Sequence, residues 1–267
     1  MKIFCVSDLH LCDRGYRDNF AFGSDREARF YKFLDYVDAQ GGQLYILGDL
    51  FDFWQVNVSK AIVTYLDLLT RFDKMHAVYV AGNHDADLLD FIGKPSLMPG
   101  HPFFLREVRA FERTIGSRRF AFLHGHESDP YCRDANPGAG EITAIISGLL
   151  EDRNRGPFDS HHHAVEDNFI GTLESALTFW RHLTFQHGRM DEMIDGVEAY
   201  RKEAGAEVII YGHTHAPGQI GDYHYNTGCW VRDNDTFVQI DEDGIVVLYE
   251  WLGDKAIRFE KVLREVH

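Results

Sequence analysis

The chain has 267 residues, 45% of them hydrophobic, and its 42 acidic and 27 basic side chains give a formal net charge of −15. This length and apolar content fit one large α/β domain or two small ones and exclude a disordered or collagen-like polymer. The charge argues against a sequence-independent nucleic-acid binder and against electrostatic anchoring to an anionic membrane, because both require rows of Lys and Arg.

The first third of the chain alternates strand and helix patterns. Apolar, β-rich runs predict strands at residues 2–6, 44–47 and 76–80, and apolar residues at helical spacing predict helices at 24–39 and 59–72. Strands that alternate with helices favour a parallel sheet with crossover helices, and sites in such sheets lie at the carboxyl ends of the strands. In the second helix, the side predicted to be buried consists of Ile62, Val63, Leu66 and Leu69.

The rest of the chain has a different texture. Strand patterns at 111–115 and 119–123 flank a Gly-Ser turn, and further strands are expected at 207–211, 223–226, 236–240 and 245–251. We therefore predict an α/β fold of the α+β type, a single domain over 1–267 in which two sheets pack face to face with helices outside. Residues 131–205 are mostly helical in pattern and predict a helical cap inserted into this domain, with an apolar stripe formed by Phe169, Leu173, Leu177 and Trp180.

Polar side chains follow five of the predicted strands. Each short motif alone is ordinary turn chemistry, but five of them in order, each closing a strand, indicate a metal site. The set contains no thiolate, which disfavours a structural zinc or an iron–sulfur cluster. The seven candidate ligands, all nitrogen or oxygen donors, are Asp8, His10, Asp49, Asn83, His124, His213 and His215.

Seven donors are too many for one ion that must keep an open position, but they suit two divalent ions that share one carboxylate. Asp49 is the natural bridge. Two ions about 3.5 to 4 Å apart can hold a bridging hydroxide as the nucleophile while they clamp phosphoryl oxygens. Manganese is the expected metal, and iron, zinc and cobalt accept the same donors.

These motifs, in this order, resemble those of the calcineurin-like metallophosphoesterases. The resemblance implies a β-sandwich flanked by helices and hydrolysis of a phosphoester or pyrophosphate. It also implies one ion on Asp8, His10, Asp49 and His215, and a second on Asp49, Asn83, His124 and His213.

The resemblance makes His84 a catalytic residue that contacts the phosphate and protonates the leaving oxygen without binding metal. Asp52 is interpreted as the carboxylate that orients His84 and fixes its tautomer. Asp85 is interpreted as a helix N-cap. His126 faces away from the site if its strand continues and towards the substrate if the chain has turned.

Residues 8–12 and 44–54 look like the UDP-2,3-diacylglucosamine pyrophosphatases, which also carry a helical cap between the motifs of His124 and His213. Two features depart from that group: it typically has Arg at the position of His84, and residues 131–205 hold 13 acidic against 7 basic side chains. Two alternatives therefore stay open. One is a broad phosphodiesterase or phosphatase acting on nucleotides or phosphoproteins, and the other is a non-catalytic metal-binding scaffold.

The expected partner is a small phosphoester or a nucleotide-linked pyrophosphate, with no nucleic acid bound. No apolar segment approaches the roughly 18 residues of a membrane-spanning helix, whereas peripheral membrane contact stays open. Four scattered cysteines without a C-x-x-C pair favour a reduced, cytoplasmic location, and Cys5 and Cys229 read as buried. The sequence does not predict the oligomeric state. Candidate contacts to the phosphate or the cap are Arg14, Arg17, Arg153 and Arg155.

Overall fold

The computed structural model describes residues 1–91, 103–104, 107–108, 110–129, 187–231 and 235–264. Four α-helices lie within these ranges: α1 (Arg26–Ala39), α2 (Val58–Thr64), α3 (Leu66–Lys74) and α4 (His187–Glu203). Twelve strands lie there too: β1 (Ile3–Val6), β2 (Gln43–Leu47), β3 (Val78–Val80), β4 (Glu107–Val108), β5 (Phe111–Ile115), β6 (Arg118–Phe122), β7 (Val208–Tyr211), β8 (Gly218–Ile220), β9 (His224–Asn226), β10 (Thr236–Ile240), β11 (Val246–Trp251) and β12 (Ala256–Arg258).

The strands form two mixed sheets. The first has seven strands in the order β12-β11-β10-β1-β2-β3-β4, with β1 to β4 parallel to one another. The second has five strands in the order β5-β6-β7-β9-β8, with β6, β7 and β9 parallel. The predicted two-sheet fold with parallel strands is confirmed.

Apolar side chains hold the two sheets face to face. Residues of one face of β1 and β2, such as Cys5 and Tyr45, share a buried cluster with Phe122 and Ile210 of the second sheet. The opposite face of the first sheet packs against α1 and α3, and the opposite face of the second sheet packs against α4 through Met193. The layers are therefore helix, sheet, sheet, helix, as alternation of buried side chains on each strand requires.

The helix predicted at 59–72 is two helices, because Tyr65 interrupts it with φ −108° and ψ 26°. Tyr65 is buried, and its hydroxyl donates to Asp18 at 2.6 Å. The buried side chains are Ala61 and Ile62 in α2, and Leu68, Leu69 and Phe72 in α3. Ile62 and Leu69 are buried as predicted, whereas Val63 and Leu66 are 70% and 47% exposed, so their predicted burial is wrong.

The predicted cap falls mostly outside the described residues. Residues 131–186, with the apolar stripe, Arg153 and Arg155, are among those not described. The helix α4, near the end of this segment, packs on the second sheet beside Ala121 and Ile209. The bounds of the domain and of its cap stay predictions. No helix in the part of the chain that the structure describes is long and apolar enough to cross a membrane.

A buried histidine in the second sheet makes stability depend on pH. His224 Nε2 lies 2.8 Å from the Tyr211 hydroxyl, and its Nδ1 has no hydrogen-bond partner among the described residues. Burial lowers the pKa of His224 to about 4. As the pH falls below 6.5, His224 becomes protonated in the unfolded chain, whereas in the folded chain it stays neutral until about pH 4. The free energy of unfolding therefore decreases as the pH falls across this window.

We expect the His224→Gln variant to lose that part of the acid sensitivity, because Gln keeps a polar group beside Tyr211 but does not titrate. A full shift of this size corresponds to about 3 kcal/mol between pH 6.5 and 4. Urea unfolding at several pH values measures it. The exposed His76→Gln serves as the control and should keep the parent dependence of the free energy of unfolding on pH. If His224→Gln also keeps that dependence, another group is responsible for the acid sensitivity.

Candidate metal centre

All seven candidate ligands follow the carboxyl ends of parallel strands. Asp8 and His10 follow β1, Asp49 follows β2, and Asn83 follows β3 in the first sheet. In the second sheet, His124 follows β6, and His213 and His215 follow β7. Parallel strands present their carboxyl ends at one edge of a sheet, and the face-to-face packing brings both edges together. The structure therefore gathers all seven side chains in one place.

The first group of donors consists of Asp8, His10 and His215. His215 Nε2 lies 3.1 Å from Asp8 Oδ1, and His10 Nε2 lies 3.8 Å from the same oxygen. The two imidazole Nε2 atoms are 3.0 Å apart. Three donor atoms so close together can bind one ion between them.

The second group consists of Asp49, His124 and His213. His124 Nε2 lies 3.2 Å from Asp49 Oδ2 and 3.2 Å from Asn83 Oδ1. The same Asp49 oxygen is 3.7 Å from His10 Nε2, a member of the first group. Asp49 therefore lies between the two groups, where a shared carboxylate has to be.

Five of these residues have backbone conformations that non-glycine residues avoid. Their φ angles are positive: 55° for Asp8, 48° for His10, 48° for Asp49, 70° for His213 and 54° for His215. Each left-handed residue costs on the order of 1 kcal/mol and persists only where surrounding contacts enforce it. The enforcing bonds include Asp8 N to Gly48 O at 3.0 Å and His10 N to Asp49 O at 2.9 Å. The fold thus strains its backbone to aim these side chains inward.

Two glycines of the motifs allow the strand ends to approach each other. A Cβ at Gly82 would overlap the Asp49 side chain, and a Cβ at Gly212 would overlap Ser7 and lie 2.6 Å from Asp8 Oδ2. A residue with a side chain at either position would therefore push a carboxylate of the centre out of place.

Outer hydrogen bonds orient two of the histidines. The Nδ1–H of His124 donates to Leu47 O at 2.8 Å. This bond leaves Nε2, which faces Asp49, as the ring atom that can bind a metal ion. His213 Nε2 lies 2.8 Å from Asp129 Oδ2. Carboxylate and carbonyl partners of this kind fix the tautomer of metal-binding histidines. No strand pattern precedes Asp129, so its role could not be predicted from the sequence.

Charge interactions at the centre are strong because nearly every member is buried. Burial alone would raise the pKa of Asp8 and Asp49, but the neighbouring histidines hold both pKa values below the ordinary range. Burial alone would lower the pKa of His124 and His215, but Asp49 and Asp8 respectively raise each to about 10. Because protonated imidazoles cannot bind metal, ion binding here must release protons.

The donor set fits divalent metal ions. It contains only imidazole, carboxylate and amide groups, which borderline divalent ions accept. Asp8 Oδ1 is buried and accepts no hydrogen bond within the described residues. Its neighbours are His215 Nε2 at 3.1 Å and His10 Nε2 at 3.8 Å, and a cation between these three side chains would satisfy the buried carboxylate oxygen.

His84 lies beside this cluster and pairs with Asp52, as predicted. Its Nδ1 is 2.9 Å from Asp52 Oδ1, and its backbone N–H donates to Asp49 Oδ1 at 2.9 Å. Its Nε2 lies 4.0 Å from Asp49 Oδ2, and His10, Asp49 and His84 form a third group of donors close enough to share an ion. Burial alone would lower the pKa of His84, but Asp49 and Asp52 raise it above its ordinary value.

The structure also gives the contacts of Asp85 and Arg14, two residues singled out from the sequence. Asp85 precedes a short 3₁₀ helix, but its carboxylate accepts from Gly82 N at 2.6 Å and Phe51 N at 3.1 Å; it ties two site loops together rather than capping the helix. Arg14 forms ion pairs with Glu27 and Asp67, and its contact with the phosphate or the cap stays a prediction.

Four further residues are all buried: His126, Cys5, Cys12 and Cys229. The chain turns at Gly125, with φ 113°, and His126 is buried with its ring 5.3 Å from that of His124. Cys5 and Cys229 are buried as predicted. Cys12 is buried too, and burial raises the pKa of its thiol, which makes it a poor nucleophile.

Comparison with known proteins identifies a family for the chain. Residues 1–217 match the family model described as calcineurin-like phosphoesterase. A protein of Porphyromonas gingivalis (strain ATCC BAA-308 / W83), named UDP-2,3-diacylglucosamine hydrolase, is 28% identical over 131 residues. That match covers 47% of this chain and 46% of the relative, so it spans less than half of either protein.

Solved structures share the fold at low sequence identity. A dimetal phosphatase from Danio rerio is 14% identical with a TM-score of 0.51, covering 97% of this chain and 98% of that one. Vps29 from Chaetomium thermophilum is 14% identical with a TM-score of 0.47, covering 97% and 96%. The Danio rerio structure supports the two-sheet fold described above.

Proposed function

Because the chain belongs to the calcineurin-like phosphoesterase family, we propose that it hydrolyses phosphoester bonds with two metal ions at the candidate centre. The observation that carries the proposal is the position of Asp49 between two groups of donors. Asp8, His10, Asp49 and His215 would hold one ion, and Asp49, Asn83, His124 and His213 the other. We propose manganese as the working metal.

The chain's own residues have distinct tasks in this proposal. Bound ions would acidify a water molecule to supply the nucleophile and would neutralise charge on the phosphoryl oxygens. His84 does not bind metal; its Nδ1–H donates to Asp52, which leaves Nε2–H of the imidazolium to give a proton to the departing oxygen as the P–O bond breaks. Asp52 also lies 3.8 Å from His10 Nδ1 and so aligns both rings.

The proposed substrate is a small molecule with a nucleotide-linked pyrophosphate, and the leading candidate is UDP-2,3-diacylglucosamine. The resemblance of residues 8–12 and 44–54 supports it, together with the printed name of the Porphyromonas gingivalis relative. We propose that 131–205 form a cap over the site within one domain, whose apolar stripe would accept acyl chains.

The test is hydrolysis by manganese-loaded protein of UDP-2,3-diacylglucosamine, compared with ADP-ribose, a cyclic nucleotide and bis-p-nitrophenyl phosphate. Release of UMP from the lipid at a kcat/KM well above that for the other compounds is the expected result. Preference for ADP-ribose or the cyclic nucleotide would replace the substrate and keep the chemistry. Absence of turnover with every compound would contradict the proposal and favour a metal-binding scaffold.

The hydrogen bond between His213 and Asp129 gives a separate prediction. The Asp129→Asn variant should bind the second ion about 10- to 100-fold more weakly, because the ring loses the carboxylate that orients it. Competition with a metal indicator, followed by metal analysis, measures both sites. The surface variant Asp222→Asn is the control. Equal loss of both ions, or loss of neither, would remove Asp129 from this role.

A further inference from the structure

We propose, on the basis of the proposed function, that Trp54 is a positioning residue that fixes the plane of the His84 ring at the metal centre. The Trp54 indole and the His84 imidazole are stacked, with ring centroids 3.7 Å apart and 30° between their planes. Trp54 lies two residues after Asp52 on the same loop. One short loop thus supplies both the carboxylate and the aromatic face that contact His84.

The other contacts of His84 leave a specific freedom for Trp54 to remove. The bond from Nδ1 to Asp52 fixes one ring atom, and the bonds of its backbone N to Asp49 and its O to the Phe53 amide fix the main chain. A single hydrogen bond to a ring atom fixes a point but not the tilt of the ring. His10 touches the ring edge-on at 4.6 Å, with 90° between the planes. A flat surface against one face restricts the tilt.

The loop that presents Trp54 is itself anchored. Phe51 is fully buried, its backbone N–H donates to Asp85, and its ring stacks on Phe53 with 12° between planes. The Asp52 carbonyl accepts from Gln55 N at 3.1 Å. Trp54 therefore approaches His84 from a rigid support, as a positioning group must.

Misplacement of His84 Nε2 matters only when the leaving oxygen needs a proton. Displacements of about 1 Å can cost about 10²-fold in rate when a group acts in the transition state. A phenolate that leaves readily needs little protonation, whereas a more basic phenolate needs more. Bis-p-nitrophenyl phosphate has the less basic leaving group and diphenyl phosphate the more basic one. Both are otherwise similar diaryl phosphate diesters.

The experiment measures kcat and KM for both diesters in the manganese-loaded parent, Trp54→Ala, Trp54→Phe, His84→Ala and the double variant Trp54→Ala/His84→Ala. We expect Trp54→Ala to lower kcat on diphenyl phosphate about 10- to 100-fold and on the nitrophenyl diester less than about 3-fold, with KM and metal content unchanged. Trp54→Phe keeps an aromatic face and should recover most of the rate. In the His84→Ala background, removal of Trp54 should cost less than about 2-fold. The exposed Phe22→Leu removes an aromatic ring that makes none of the His84 contacts described above and is the matched control.

Equal losses on the two diesters, or full additivity with His84→Ala, would overturn the positioning role and leave Trp54 a structural residue. If Trp54→Ala does not fold, Trp54→Leu supplies volume without an aromatic face and is judged by the same two criteria. A parent that hydrolyses neither these diesters nor any compound of the substrate test overturns the proposed function and this inference with it. A parent that turns over while Trp54 variants match it overturns this inference alone.

Discussion

The Asp49→Asn variant is expected to lose both metal ions and to lower kcat/KM by about three or more orders of magnitude. Asn has the shape of Asp and can keep the hydrogen bond from His84 N, but it offers one neutral oxygen where two ions need a shared anion. Removing a ligand that serves both ions abolishes charge stabilisation worth several kcal/mol, and every 1.36 kcal/mol is tenfold in rate.

Metal analysis after dialysis, together with turnover of bis-p-nitrophenyl phosphate, measures the Asp49 effect. The exposed Asp87→Asn in the 3₁₀ helix after Asp85 is the control for loss of one negative charge and should keep the parent metal content. In Asp8→Asn, which alters a ligand of the first ion only, one ion should remain. If Asp49→Asn binds as much metal as the parent, Asp49 is not the bridge.

The sequence predicted the strands that carry the site because those strands are buried and continuous. β1, β2 and β3 read as short apolar runs that stop at Gly, Asp or Asn, and the side chains that follow them converge as the parallel arrangement requires. The strands β4, β8 and β12 were missed, because two or three residues at or near a sheet edge show no usable alternation. Their pairing is decided by neighbours distant in the chain.

The parts of the site that escaped prediction depend on tertiary contacts. Nothing local marks Asp129 as the partner of His213, which lies 84 positions away in the chain. Trp54 reads as one more aromatic residue until its ring is found against His84. Likewise, nothing local in the sequence marks Glu27 and Asp67 as the ion-pair partners of Arg14, which they reach from two helices. Motifs identify donors, whereas the fold decides which side chains support them.

The His84→Ala variant is expected to keep both ions and to lower turnover about 10²- to 10⁴-fold on substrates with a basic leaving group. Its backbone N–H, which donates to Asp49, survives the substitution, so the ligand cluster should stay intact. Metal content per chain measures the retention of both ions, and kcat on diphenyl phosphate measures the loss of turnover.

Asp52→Asn tests the orientation of the same ring. Asn can accept the Nδ1–H bond but no longer carries the charge that stabilises the imidazolium, so a loss smaller than that of His84→Ala is expected, again with metal retained. Loss of an ion from His84→Ala would instead make His84 a ligand, an arrangement for which His10, Asp49 and His84 lie close enough together. Unchanged turnover with both ions bound would leave protonation of the leaving group to another residue, and His126, whose buried ring lies 5.3 Å from that of His124, would be the next to substitute.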